Sequence, residues 1–371
     1  MKKYMMFLSN KQKLELKYGS KILNSIEKKI KQYQTTISMN NIDCEFIYHD
    51  TQIKNINKET SVQCQFEELK KYIKDWNRKR RLDYLFILGG DDIVPFYKIP
   101  DSAIGGKQDG EYICSDDPYV SFSSVTYRPT IPVGRLPDPQ IETENDKRFL
   151  INQLDKIIRF QKYPPMMTAI PVGYSCREWE EQSQIIYNCL PNSNINPLII
   201  CSNQIPERDH ITQANIYYFN LHGNKTSNFY FCDAEGPFFS IDLIPNICSA
   251  FILSECCYGA CVLENNLQHN IALNFLSKNA FIFVGATAKS YGGWGKAEPL
   301  LCADLLAKLI IEYLKDNHIS SENVNQVSIG ETLIMAKRDY TFHADEFLDK
   351  KTLLEFILLG DPSVVPIWKC S

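Results

Sequence analysis

The sequence lacks the features that mark several large classes of protein. It has no run of about 18 consecutive apolar residues, so no segment reads as a membrane-spanning helix. It has no excess of positive charge, because 40 basic side chains stand against 44 acidic ones and leave a net charge of −4. A nucleic-acid binder or a polybasic membrane protein needs a basic field. No internal repeat or low-complexity segment is visible. We therefore expect a globular protein that binds neither nucleic acid nor a membrane directly.

The cysteines show neither a zinc-binding nor a redox spacing. Thirteen are scattered from Cys44 to Cys370, and the sequence has no C-x-x-C pair. The N-terminal residues resemble the beginning of a signal peptide, but the apolar run ends at Ser9-Asn10-Lys11 without a small-residue cleavage site. An odd number of cysteines without a secretory signal is typical of reduced thiols. We predict a cytoplasmic protein that needs no metal or organic cofactor.

The chain is long enough for two packed subdomains. Its 371 residues exceed the size at which one compact core usually stops growing, and 44% of them are apolar. Lys162-Tyr163-Pro164-Pro165 interrupts a helical pattern and marks a boundary. We expect an N-terminal α/β subdomain at 1–165 and a second subdomain at 166–371.

Apolar runs alternate with amphipathic stretches along the chain. The runs lack period-2 alternation, which is typical of parallel strands covered on both faces by helices. The predicted strands are Tyr4–Leu8, Cys44–Tyr48, Tyr84–Leu88, Ile131–Gly134, Ala169–Val172, Pro197–Cys201, Ile216–Leu221, Ala250–Ser254 and Ala280–Val284. The predicted helices are Leu14–Tyr33, Phe66–Trp76, Glu142–Gln161, Glu178–Cys189, Glu298–Leu314, Ser328–Arg338 and Lys351–Leu358. The pattern predicts a layered α/β fold with a mostly parallel sheet.

Two predicted strands end in residues that carry chemistry. His222-Gly223 follows one strand, and Cys256 follows the next. Ligands of open α/β sheets bind beyond the carboxyl ends of the strands, and 34 positions allow a crossover to a neighbouring strand. An imidazole can generate the thiolate and later protonate a leaving amine. The amides of Gly223 and Cys256 would form an oxyanion hole. Taken alone, the histidine is typical of a turn residue and the cysteine of a residue packed in the core. Taken together, the two residues favour a Cys-His site.

Several motifs accompany this pair, and their order resembles that of the gingipain-type cysteine peptidases of the caspase-like superfamily. The motifs are Leu88-Gly89-Gly90-Asp91-Asp92-Ile93-Val94-Pro95, Ser115-Asp116-Asp117-Pro118-Tyr119, Pro132-Val133-Gly134-Arg135-Leu136-Pro137, and Leu359-Gly360-Asp361-Pro362. The resemblance implies a caspase-like layered sandwich with mostly parallel sheets and two subdomains, as in gingipain catalytic domains. It places the dyad in 166–371 and an acidic residue of the S1 pocket in 1–165.

The resemblance also implies residue roles. His222 becomes the general acid/base and Cys256 the nucleophile, since Gly259 follows Cys256 at the family's spacing. Cys257 remains the alternative, because caspases proper have a glycine two residues after the nucleophile. Glu255 departs from the alanine of many relatives. Its carboxylate would raise the pKa of a neighbouring thiol, but consecutive strand residues point to opposite faces.

Two further residues would form the S1 pocket. Asp116 corresponds to the acid at its base, which would attract Arg or Lys; Asp117 is the fallback, and an Asp-Pro turn is the structural alternative. Trp294, on a Gly-rich loop, resembles the pocket's aromatic wall, with simple packing as the alternative. Glu111 is considered as a third, orienting acid without a spacing argument to support it.

These residues predict an intracellular cysteine endopeptidase that cleaves protein or peptide substrates after Arg or Lys. Broad basic specificity would damage the host cell, so we expect control by an activating protein partner, a ligand or a narrow substrate. Bacterial relatives of the superfamily often act in defence systems, and the resemblance suggests that association. The rival interpretation is a non-catalytic caspase-like module that binds peptides or regulates a partner.

Overall fold

The structure is a computed structural model of the 371-residue chain. It describes residues 2–53, 62–101, 110, 112–123, 125–167, 170–201, 214–232, 237–246, 249–264, 266–293, 299–319, 327–342 and 346–368. In this part of the chain, no helix has the length and hydropathy needed to cross a membrane.

A ten-stranded sheet forms the centre of the molecule. The strands are β1 (Lys3–Ser9), β2 (Ile42–Tyr48), β3 (Tyr84–Leu88), β4 (Tyr97–Pro100), β5 (Tyr112–Ser115), β6 (Val133–Leu136), β7 (Met166–Met167), β8 (Pro171–Ser175), β9 (Ile199–Ile200), β10 (Ile216–Asn220), β11 (Phe229–Phe231), β12 (Pro237–Ser240), β13 (Ala250–Ser254), β14 (Ala280–Ala286), β15 (Phe356–Gly360) and β16 (Ile367–Trp368). The central sheet has the order β2-β1-β3-β6-β15-β14-β13-β10-β8-β9. Its pairs are parallel except β14 with β15.

Helices cover the sheet on both faces. They are α1 (Lys11–Tyr18), α2 (Ser20–Ser38), α3 (His49–Gln52), α4 (Val62–Arg80), α5 (Asp117–Val120), α6 (Phe149–Lys162), α7 (Glu180–Asn188), α8 (Ile271–Ser277), α9 (Cys302–Ile319), α10 (Ile329–Asp339) and α11 (Glu346–Glu355). Alternate residues of one strand belong to different core clusters: Tyr217 and Phe219 pack in one, and Ile216 and Tyr218 pack in the other. A strand buried on both faces has no polar side to show, which explains the uninterrupted apolar runs.

The predicted α/β class with a mostly parallel sheet is confirmed, and one predicted element is wrong. The sequence predicts a helix at Lys351–Leu358, whereas α11 ends at Glu355 and β15 begins at Phe356. Phe356-Ile357-Leu358-Leu359 is buried throughout, and its short apolar run fits a helix or a covered strand equally well. The N-terminal run Tyr4–Leu8 lies within β1, in the core of the sheet.

The expectation that the thiols are all reduced is also wrong. A disulfide joins Cys201, just after β9, to Cys232, just after β11, with 6.2 Å between the Cα atoms. Eight other cysteines form no disulfide: Cys44, Cys114, Cys176, Cys189, Cys256, Cys257, Cys261 and Cys302.

The two halves of the chain share the sheet. β6, from the N-terminal half, pairs with β15, from the C-terminal end of the chain. The strands approach closely at glycines: a Cβ on Gly134 would lie 2.5 Å from the carbonyl oxygen of Gly360. The division into 1–165 and 166–371 stays a prediction. The boundary between these two parts would pass between the paired strands β6 and β15.

Candidate active site

The carboxyl ends of β10 and β13 bring the predicted site residues together. The two strands pair in parallel with Phe219 opposite Ser254, and the amide of Glu255 continues the ladder by donating to the Phe219 carbonyl at 2.8 Å. The two strands end at Asn220 and Ser254, and His222 follows the first while Cys256 and Cys257 follow the second in a turn. The side chain of Leu221 is part of the core.

Cys256 lies in the core and away from solvent. Its side chain is 1% exposed and belongs to the same apolar cluster as Tyr230 and Phe219. Burial raises the pKa of the Cys256 thiol well above its usual range, and hydrogen bonds from Ser254 and the Leu221 amide offset this only in part. In this structure the Cys256 thiol is therefore closed to a substrate. The structure therefore does not bring the predicted nucleophile, Cys256, into a cleft with His222.

Cys257 follows Cys256 in the turn and is partly exposed. Its Sγ donates to the carbonyl oxygen of Ser290 at 3.5 Å. Burial raises the pKa of the Cys257 thiol to about 11, and the nearby Lys289 offsets this only in part. The resting thiol is thus protonated at neutral pH, and it requires a base before it can attack.

His222 is held from three sides. Its Nε2 lies 2.9 Å from Oε1 of Glu178, its ring stacks on Phe231 at 5.3 Å, and the edge of Trp179 meets it at 4.7 Å. The backbones of His222 and Phe231 exchange two hydrogen bonds of 2.9 and 3.0 Å. The imidazole is 31% exposed, so it is positioned and still accessible. With Nε2 directed to the carboxylate, Nδ1 is the ring nitrogen that exchanges a proton with a substrate or thiol.

Gly223 packs directly against the residue opposite. A Cβ on Gly223 would lie 2.0 Å from the carbonyl oxygen of Cys257 and 3.3 Å from the Cβ of Cys256. No side chain fits at this distance, so the glycine allows the two strand ends to converge.

A small cleft adjoins Cys257. Its volume is about 20 Å³, and it is lined by Trp179, Asn220, Leu221, Glu255, Cys257, Ser290, Tyr291, Gly292, Ala303 and Asp304. Glu255 and Cys257 both line this cleft, whereas the buried Cys256 between them does not.

Two buried carboxyl groups meet in the cleft. Tyr218 donates to Oε1 of Glu255 at 2.6 Å, and the amide of Gly293 donates to Oδ2 of Asp304 at 2.5 Å. Burial, followed by the charge of Asp304, raises the pKa of Glu255 well above its usual range. Burial also raises the pKa of Asp304 to about 6, against the hydrogen bonds it accepts. Two carboxyl groups this close retain a proton between them until a cation replaces it.

Asp116 is not the free carboxylate that the sequence predicts. It is 2% exposed, and both of its oxygens accept from Arg135, at 2.9 Å from Nε and 2.6 Å from Nη2. A guanidinium of the protein itself thus pairs with Asp116, so the binding of a substrate's basic side chain by Asp116 stays a prediction that this geometry does not favour. Its neighbour Asp117, the fallback, is paired with Lys337 at 2.5 Å.

Two of the residues considered, Trp294 and Glu111, lie outside the described residues. The sequence analysis misses Glu178 and Asp304. Glu178 could have been found, because it follows β8, the strand beside β10, at the edge of the sheet where His222 lies. Within the described ranges, no three side chains of the ligating types converge as a metal site.

Comparison with known proteins gives a family match for part of the chain. Residues 24–170 match the model of peptidase family C25. The matched segment precedes both His222 and Cys257. No curated protein sequence matches the chain significantly.

Solved structures share the fold over nearly the whole chain. The crystal structure of the Arg-specific cysteine proteinase gingipain R has a TM-score of 0.65 at 15% identity and covers 98% of this chain and 78% of its own. The complex of the pro- and mature domains of Porphyromonas gingivalis RgpB gives 0.64 at 14% identity, with 98% and 79% covered. A structure described only as a protease gives 0.61 at 12% identity, with 98% and 78% covered. The chain thus matches peptidase family C25 over residues 24–170 and shares the fold of gingipain R over nearly its whole length.

Proposed function

We propose that the chain is a cysteine peptidase in which Cys257, and not Cys256, is the nucleophile and His222 is the general base and acid. The observation that carries this proposal is the placement of the adjacent cysteines: Cys257 is partly exposed beside a cleft, whereas Cys256 is buried in the core. Gly223, the residue after His222, packs against the carbonyl of Cys257, so the two chain segments converge here.

The reaction follows from this geometry. Nδ1 of His222 takes the proton from the Cys257 thiol, and Sγ attacks the carbonyl carbon of the scissile peptide bond. Glu178 stabilises the imidazolium and fixes its orientation through Nε2. The imidazolium then protonates the leaving amine as the C–N bond breaks, which leaves a thioester. Water hydrolyses the thioester with His222 acting as the base, and this restores the thiol. Proton transfer of this kind contributes about 10²- to 10⁴-fold in rate.

The amides of Gly223 and Cys257 are the proposed oxyanion donors. Gly223 lies against the backbone of Cys257, so both N–H groups belong to the same small region next to the nucleophile. Each such donor is commonly worth about 3 kcal/mol in the transition state. Cys257 takes the place given to Cys256 by the sequence pattern.

We infer that the residue before the cleaved bond is Arg or Lys, and that Glu255 and Asp304 recognise it. Their carboxyl groups line the cleft beside Cys257, and the ionisation of each is suppressed in the absence of a cation. A guanidinium or ammonium group would replace the shared proton and make charge-assisted hydrogen bonds to both acids.

The cleft must widen to admit such a side chain. Its volume of about 20 Å³ suffices for one water molecule but not for an arginine. This closed form supports the proposal that an activating protein partner, ligand or preferred substrate opens the enzyme.

An intracellular site of action remains part of the proposal. Its support is the set of free cysteines in the described chain, while the disulfide Cys201–Cys232 speaks against it. A role in bacterial defence rests on the family resemblance alone.

A peptide electrophile that ends in Arg tests the assignment. Mass spectrometry should locate the label on Cys257 in the wild-type protein and in Cys256→Ala, and it should find no label in Cys257→Ala. Hydrolysis of a fluorogenic Arg peptide should be lost in Cys257→Ala and in His222→Ala. Cys256→Ala leaves a cavity in the core, so its thermal stability is measured in parallel.

Two results would contradict the proposal. Labelling that persists on Cys256 in Cys257→Ala would return the nucleophile to Cys256. Labelling of neither cysteine in any activated preparation would favour the non-catalytic peptide-binding module.

A further inference from the structure

Trp179 occupies a position that the proposed chemistry does not yet use. It ends a short 3-10 turn, Arg177–Trp179, that follows β8, and its amide donates to the Cys176 carbonyl at 3.2 Å. Its ring meets the ring of His222 edge to face at 4.7 Å, with an interplanar angle of 61°. The same side chain lines the cleft that contains Glu255, Asp304 and Cys257.

Two contacts on one short turn fix the imidazole. Glu178 holds Nε2, and the next residue, Trp179, contacts the ring edge to face in addition to the stacking partner Phe231, so the two residues of the turn limit its rotation. Because the indole of Trp179 contacts the His222 ring, any movement of the indole also changes the surroundings of that ring.

The cleft requires such a movement. A space of about 20 Å³ cannot receive a basic side chain, and Trp179 and Tyr291 are the two aromatic side chains that line it. An aromatic face within about 6 Å of a bound cation adds a cation–π attraction to the charge interaction with the two acids. The indole thus touches both the substrate site and the catalytic base.

We propose that Trp179 is a specificity-determining and positioning residue of the peptidase: it forms one wall of the side-chain cleft and, through its contact with His222, couples the filling of that cleft to the orientation of the base. This inference rests on the proposed function. It concerns how the side-chain cleft and the dyad communicate, which the choice of nucleophile does not determine.

The experiment compares Trp179→Ala and Trp179→Phe with wild type, using Arg peptides and the same peptides with neutral, isosteric citrulline. We expect Trp179→Ala to lower the ratio of kcat/KM for Arg over citrulline by about 10-fold and to lower kcat as well. Trp179→Phe should restore kcat, because a phenyl ring can still contact the imidazole, while it recovers only part of the Arg preference.

A second readout needs no peptide in the cleft. The rate at which iodoacetamide alkylates Cys257 is measured against pH, since this small reagent reports on the thiol and its base without filling the side-chain site. Trp179→Ala should shift the pH profile of alkylation, and Trp179→Phe should return it to that of wild type. An unchanged profile together with an unchanged Arg-to-citrulline ratio would overturn the proposal.

A third readout separates failure of this inference from failure of the proposed function. A protonated imidazole in contact with an indole quenches its fluorescence, so the wild-type minus Trp179→Phe difference emission should titrate with His222 and lose that titration in His222→Gln. This result is expected even in a preparation that cleaves no peptide. A difference emission that does not respond to pH in an active enzyme would show that the contact is absent and would overturn the coupling alone.

Discussion

The buried acidic residues of this molecule fall into two groups. Some have a permanent hydrogen-bonding partner within the protein, and others line the cleft beside Cys257. Asp116 has a permanent partner in Arg135, which also donates to the carbonyl oxygens of Gly89 and Val94. Asp361 accepts from Tyr33 at 2.7 Å and from Gln161 at 2.8 Å. The motifs that make the sequence resemble gingipains therefore contain residues that hold the fold together, and the acids proposed to bind substrate lie outside them.

Replacing Asp116 by Asn should destabilise the protein without changing its specificity. The substitution leaves the Arg135 guanidinium buried without its counter-charge, which costs about 3–5 kcal/mol in comparable cases. Urea unfolding should show the loss, and the surviving folded enzyme should keep its preference for Arg over citrulline. A stable Asp116→Asn enzyme without that preference would restore Asp116 to the substrate site.

Cleavage after a basic residue should depend on the ionisation of the cleft acids. Burial raises the pKa of Asp304 to about 6, so as the pH rises through that value the pair loses its proton to solvent more readily and can pair with a cationic side chain. We expect kcat/KM for an Arg peptide to rise between about pH 5 and pH 7, and Asp304→Asn to flatten that rise. The citrulline peptide is the control, since its neutral side chain displaces no proton. A similar rise for both peptides would assign the pH dependence to the dyad.

The raised pKa of Asp304 also predicts that the stability of the protein falls as the pH rises, whereas its activity on an Arg peptide increases. The folded-state pKa of Asp304 lies above its ordinary value of 3.8, so the native protein binds more protons than the unfolded chain between about pH 4 and pH 6. The free energy of unfolding therefore falls as the pH rises through this interval. Asp304→Asn removes this contribution, and its stability relative to wild type should increase from pH 4 to pH 7, as measured by urea unfolding. A constant difference would refute the shift.

Among the secondary-structure elements, strand β11 holds His222 in place. It supplies Phe231, whose backbone pairs with His222, and it is followed by Cys232 of the disulfide. Cys201, the other half of the disulfide, follows β9 at the edge of the sheet, and its amide donates to the Ser175 carbonyl at 2.8 Å. The disulfide thus ties β11 to the sheet independently of the His222 contact.

Removing this disulfide should loosen β11. Cys232→Ser opens a loop in which the bonded cysteines are 31 residues apart, and a loop of this size corresponds to about 4 kcal/mol in the chain-entropy model. Thermal unfolding, followed in a Cys257→Ala background so that reductant acts only on structure, should show a lower Tm for Cys232→Ser and for reduced protein. Cys189→Ser, which removes a free cysteine, is the matched control. Equal Tm values with and without reductant would show that the bond does not support the fold.

The elements that sequence reasoning predicts best are the ones with local causes. Ala250–Ser254 and Tyr84–Leu88 are predicted and found with the same bounds, because each is a short apolar run set between polar turns. β15 is missed because its place depends on partners distant in sequence: it pairs with β14 in the antiparallel sense and with β6 from the other half of the chain. The choice between Cys256 and Cys257 likewise depends on more than local sequence, since motif spacing does not specify which of the two side chains lines the cleft.

On the scale of the whole molecule, the two halves are joined by more than the sheet. Asp117 pairs with Lys337, and Asp101 pairs with Lys351 at 2.7 Å. In each pair both side chains are almost fully buried. Each ion pair takes its acid from the N-terminal half and its lysine from the C-terminal half. The predicted division at 165/166 therefore separates partners that depend on each other for charge balance.

We accordingly expect that neither 1–165 nor 166–371 folds alone. Each isolated half would carry two charges that lose their buried partners, and breaking one such pair costs about 3–5 kcal/mol, against a total stability of about 5–15 kcal/mol for a typical domain. The N-terminal fragment would also leave β6 without β15. Amide NMR spectra of the separate fragments should lack native dispersion, and mixing the fragments should restore it. A dispersed spectrum from 166–371 by itself would show that the C-terminal half is an autonomous domain, because its lysines could then be accommodated without the acids of the other half.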